Sequence, residues 1–158
     1  MKPGIVMTNL LNTPIDYQVT KTSFGTRKRY LYESGQLYSE FISFARVGSW
    51  PLVHMARGRS PETGRGVTAR GFIAIGRKAV GVVALGQMAV GVIAVGQFAV
   101  GALAVGQFAG GILFGLGQFA TGLVAIGQFA AGAWSLGQAS LGNPLSSLWN
   151  ETANHLGA

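Results

Sequence analysis

The chain has 158 residues, with 12 Lys+Arg against 5 Asp+Glu, 25 Gly, 49% hydrophobic and 11% charged residues, and no Cys. Ordinary globular chains carry about 25% charged residues and about 7% Gly, so the composition argues against a common enzyme domain. Without cysteine there is no disulfide framework, zinc–thiolate site, iron–sulfur cluster or thiol nucleophile, and the length allows one domain with a small appendage.

Charge divides the chain. Every Lys and Arg lies at or before Lys78, and the 72 residues from Ala79 to Asn150 hold no Asp, Glu, Lys or Arg. Up to Lys78 there are 12 positive and 4 negative side chains (Asp16, Glu33, Glu40, Glu62), a balance of +8. Three segments are expected: a basic head over 1–70, an apolar glycine-rich repeat over 71–142 and a C-terminal segment over 143–158. At the start, the apolar stretch Ile5–Leu11 is interrupted by Thr8 and Asn9 and followed by Pro14, with no small-residue cleavage site. This does not read as a signal peptide, which leaves the cytoplasm or export by a non-standard route.

The head reads as β. Arg27-Lys28-Arg29 is its densest cationic run and the candidate contact for an anionic surface, lipid or polymer; the competing role of these charges is to keep a greasy chain soluble. Tyr30-Leu31-Tyr32 and Leu37-Tyr38 flank Glu33-Ser34-Gly35-Gln36, a hairpin signal. The string YLYESGQLYSE resembles one copy of the hairpin of MORN-type repeats. A second hairpin is expected between Pro51–Ala56 and Gly66–Arg70 around Ser60-Pro61-Glu62-Thr63-Gly64. His54 and His155 stand alone, without the carboxylates a metal site needs, and each reads as structural. Gly71 to Lys78 has the glycine spacing of a phosphate loop, but Arg77 replaces the required Lys and no Ser or Thr follows it. No cofactor, small-molecule substrate or catalytic residue is expected.

Glycine then recurs every five residues at 71, 76, 81, 86, 91, 96, 101, 106 and 111 and, after one inserted residue, at 117, 122, 127, 132, 137 and 142. The unit is Gly, a variable residue, a large apolar residue, Ala and an aliphatic, as in Gly96-Gln97-Phe98-Ala99-Val100. Gln fills the variable slot in alternate units, at Gln87, Gln97, Gln107, Gln118, Gln128 and Gln138, which gives a ten-residue beat. In a helix, successive glycines would step about 140° and form no face. In a flat strand they would alternate sides. Short strands turned at Gly76, Gly81, Gly86, Gly91, Gly96, Gly101 and Gly106 satisfy the spacing. The expected fold is therefore all-β, a β-solenoid of Gly-cornered five-residue strands, about ten residues per coil, with a small β-hairpin head and a short C-terminal helix. The segment from Pro51 through the repeat resembles uncharacterised bacterial glycine-rich pentapeptide- and decapeptide-repeat proteins, a resemblance that implies this fold and no biochemical activity.

Within each coil, Met88, Phe98, Phe108, Phe119 and Phe129 are expected to point inward as a core column, leaving Ala and a Gln ladder outside. Asn143-Pro144 reads as a helix start, with Leu145, Leu148 and Trp149 forming a stripe that either caps the coil or clips onto a neighbouring copy. Ends with unpaired backbone and a long uncharged wall point to a structural protein that stacks with itself into a filament, a homopolymer similar in logic to bactofilin-type cytoskeletal solenoids. The alternatives are an integral membrane protein of Gly/Ala-rich packed helices and a solenoid adaptor that binds lipid or an apolar partner.

Overall fold

The computed structural model describes residues 15–144. They form strands β1 (Gln18–Lys21), β2 (Gly25–Leu31), β3 (Leu37–Ser43), β4 (Arg46–Val47), β5 (Trp50–Pro51), β6 (Val53–Arg57), β7 (Thr68–Leu136) and β8 (Ala139–Pro144), with no helix among the described residues. The protein is thus all-β, and it divides between Val82 and Val83 into two compact units.

In the first unit β1, β2, β3 and β6 run antiparallel in that order. The hairpin expected around Gly35 is β2–β3, with Leu31 opposite Leu37. Its turn is closed by Gly35 N–H donating to Tyr32 O and Tyr32 N–H to Gln36 O, both 2.9 Å. Gly35 has φ +76°, open to glycine without a Cβ clash. The second expected hairpin is corrected. Its turn closes on itself, with Ser60 N–H donating to Arg65 O, Gly64 N–H to Ser60 O and a lone bridge between Arg59 and Gly66. The flanking strands, however, pair parallel, Val53 opposite Ile73 and Ala56 opposite Gly76. The twenty residues from Val53 to Ile73 bring the chain back alongside itself in the same direction. β6 is the strand on which the first segment of β7 is laid.

In the second unit residues ten apart lie over one another. Phe129 pairs with Ala139 and Ala130 with Ser140, in parallel. A Cβ placed on Gly96 would overlap the carbonyl oxygen of Gly86, and one on Gly106 that of Gly96. These glycines are therefore demanded by close approach of the backbone ten residues earlier; Gly76, Gly81, Gly96, Gly101 and Gly106 are not among the glycines with positive φ. The inserted residue is absorbed locally, since Gly117 sits over Gly106 and Phe119 over Phe108. Gly115 takes the buried slot in that segment.

The inward assignment of the large residues is overturned. Ala84, Ala89, Ala94, Ala99, Ala104, Ala109, Ala120, Ala125 and Ala130 are 0–3% exposed, whereas Met88, Phe98, Phe108, Phe119 and Phe129 are 43–52% exposed. The buried position of each five-residue unit is filled by a methyl group, and the rings lie at the surface. Each buried methyl contributes only about 0.8 kcal/mol, so the rungs depend chiefly on their backbone ladder. Ser135 occupies an alanine slot at 1% exposure and donates its hydroxyl to Leu141 O at 3.4 Å.

Two further expectations concern the end of the chain. Asn143 and Pro144, read as a helix start, instead close β8 opposite Trp134 and Ser135, since a terminal strand tolerates a proline that lacks the N–H. Leu145, Leu148, Trp149 and the rest of the expected helix lie outside the described residues.

Candidate functional site

Among the described residues of the second unit the buried positions are the alanine slots, with Gly115 and Ser135 taking that slot in their own segments. Gln, the large residue and the aliphatic all face out, because strict alternation holds over Phe-Ala-Val and the Gln beside each glycine rides the corner. All six glutamines of the ten-residue beat are exposed. The phenylalanines form a continuous stack: Phe98 to Phe108 4.8 Å between ring centroids, Phe108 to Phe119 4.8 Å, Phe119 to Phe129 4.9 Å, with interplanar angles of 3°, 4° and 6°. That spacing is the interstrand distance of a β-sheet, imposed on the rings by the backbone beneath.

Val92, Ile93, Leu103, Ile112, Leu113 and Leu123 are exposed as well. In all, nineteen large apolar side chains between Leu85 and Leu141 are exposed. Between the columns the glycines leave grooves; the one over Gly127 and Gly137, about 400 Å³, is bounded by Ile126 and Leu136 on one lip and Gln128 and Gln138 on the other. Monomeric soluble proteins rarely expose a contiguous apolar patch beyond a few hundred Å². A surface greasy on both walls and free of charge is the chemistry of contact with hydrocarbon or with another apolar surface.

The head holds a polar cluster the sequence did not reveal. His54 on β6 is buried, and its Nε2 lies 3.0 Å from Glu40 Oε1 on β3. Arg70 N–H donates to His54 Nδ1 at 2.9 Å, and the same nitrogen is 3.0 Å from Arg70 O on β7. Tyr38 Oη donates to Glu40 Oε2 at 2.7 Å, and Tyr17 Oη to Glu62 Oε1 at 3.0 Å. These groups line or adjoin a cleft of about 410 Å³ that also takes in Lys28 and Arg65. Glu40, with His54 beside it, is held below the usual carboxylate range against the opposing effect of its burial. The Glu40 carboxylate in turn raises His54 above the ordinary imidazole value. Burial and the carboxylates push Tyr17 and Tyr38 up, so both phenols serve as donors. The cluster ties three strands together. Its only sequence signal is Glu40 two residues beyond Tyr38 on one strand face; the register against β6 completes it.

The cationic run does not form one patch. Lys28 faces the cleft, opposite Glu40 in the ladder. Arg27 and Arg29 take the other face of β2, with the Arg27 guanidinium 5.9 Å above the Phe41 ring. Period-two alternation of a strand separates neighbours that a sequence places together. No family model, curated protein or solved structure matches the chain.

Proposed function

We propose that the protein is structural: a β-solenoid of ten residues per coil whose apolar outer walls are buried in the hydrocarbon of a lipid bilayer. The observation that carries it is the outward phenylalanine and aliphatic columns on both walls of the second unit, with alanine filling the interior. Finishing the burial of nineteen half-exposed side chains is worth roughly 1 kcal/mol each, about 20 kcal/mol together. Six glutamines oppose this by roughly 0.5–2 kcal/mol each where partners are at hand, and amides stacked in one column can partner one another. Lipid satisfies every side of the column at once. Backbone groups lie paired between rungs, which is the condition hydrocarbon imposes on any structure inside it.

A second reading, stacking of copies end to end into a filament, is favoured by the in-register Phe ladder, whose repeat a further copy continues without a break. The two separate in one experiment. Full-length chain is mixed with neutral phosphatidylcholine vesicles at low and high salt and floated on a density gradient, with negative-stain microscopy of every fraction. Burial in lipid requires that the chain float with the vesicles at both salt concentrations. Fibres left in the dense fraction assign it to self-assembly, and dispersed single particles there overturn both.

A further inference from the structure

We infer, building on the lipid-buried column just proposed, that the second unit crosses the bilayer with its coil axis along the membrane normal. Three observations point the same way. The rungs pair with one another along the axis, as the i to i+10 register and the ring spacing record, so the groups without a rung to pair with are confined to the two ends. A column lying in the membrane plane would hold both ends in hydrocarbon, or else keep one wall in water; upright, it brings both ends to the interfaces and both walls to lipid. Although helices and closed barrels are the known spanning structures, the physical requirement behind that rule is internal pairing of the backbone, which stacked rungs also meet.

Height agrees as well. Val83 to Pro144 is 62 residues including the one inserted, hence six ten-residue rungs. At the 4.8 Å spacing of the rings the unit is about 29 Å tall, against a hydrocarbon core of about 30 Å.

The polar residues are distributed as a spanning column requires. Arg77 and Lys78 are the last charges before the tract, five residues ahead of its first rung. From Val83 to Ala133 only the glutamine column and Thr121 are polar. Then Trp134, Ser135, Gln138, Ser140 and Asn143 crowd into the last rungs. Cations at one boundary and tryptophan at the other are the usual markers of the two interfaces.

The test uses the full chain in phosphatidylcholine bilayers. Polarised infrared spectroscopy of oriented films reads the backbone carbonyls, which lie along the coil axis; the upright column gives amide I absorption polarised along the normal, and a column in the plane reverses the dichroism and overturns the inference. Depth is read independently by brominated lipids. In a Trp50→Phe, Trp149→Phe background, Trp134 is quenched most by bromines near the headgroup. With Trp134→Phe and Phe108→Trp added, the order inverts, with strongest quenching by bromines near the chain end. Equal depth at positions 108 and 134 overturns the upright orientation while leaving burial in lipid intact. Failure to float with any vesicle overturns the lipid-buried column itself.

Discussion

At the scale of single residues, alanine and phenylalanine exchange the roles their sizes suggest. Ala99 is 1% exposed, whereas Phe98 beside it is 52% exposed. Ala99→Leu is expected to overpack that buried position and lower stability by about 1–3 kcal/mol. Phe98→Leu, on the outer wall, should cost less than that. Thermal unfolding followed by β-sheet circular dichroism ranks the two, and a larger loss for Phe98→Leu would mean that the rings form the core after all. The glycine spacing was legible in the sequence because a fixed interval survives any folding detail. Which apolar residue faces in was not, since hydropathy favours burying Phe over Ala and only the space left at the buried position reverses that order.

Among the elements, β2 and β3 were legible because a glycine-bearing turn between aromatic runs specifies an antiparallel partner locally. β6 and β7 were not: the turn near Gly64 suggested a hairpin, but the strands pair in parallel, twenty residues apart in the chain. The antiparallel register of β3 against β6 assembles the His54–Glu40 pair, with the backbone of Arg70 on β7 at the other ring nitrogen, and its pH dependence follows in sign. His54 is raised from 6.5, so its contribution is complete below that value and is lost as pH climbs through its folded pKa. Glu40 is lowered from 4.5, so its contribution is complete above that value and lost as pH falls through its folded pKa. The head should be most stable between about 4.5 and 6.5. Near-ultraviolet circular dichroism of the tyrosines during thermal melts at stepped pH checks this, with Glu40→Gln expected to flatten the decline above pH 6.5. An unchanged slope in that variant would detach the decline from this pair.

For the molecule as a whole, one rung is a unit of height. Deleting Gly96–Val105 removes ten residues and keeps every column in register, so the β signal per residue should persist while the column shortens by one 4.8 Å step. A spanning column so shortened should shift its partitioning toward bilayers of shorter acyl chains, because mismatch carries a free-energy cost for each ångström. Competition between thin and thick phosphatidylcholine vesicles measures it, and an unaltered preference would argue against a match between column and bilayer.

The residue order already specified stacked extended segments, their ten-residue beat, the hairpin at Gly35 and a surface without charge, because all of these rest on interval and composition. Folding settled the rest: alanine inward and phenylalanine outward, β6 parallel to β7, Arg27 and Lys28 on opposite faces, and His54 against Glu40. Each of these depends on which backbone lies beside which, at distances of a few ångströms between residues far apart in the chain, and no local pattern carries that information.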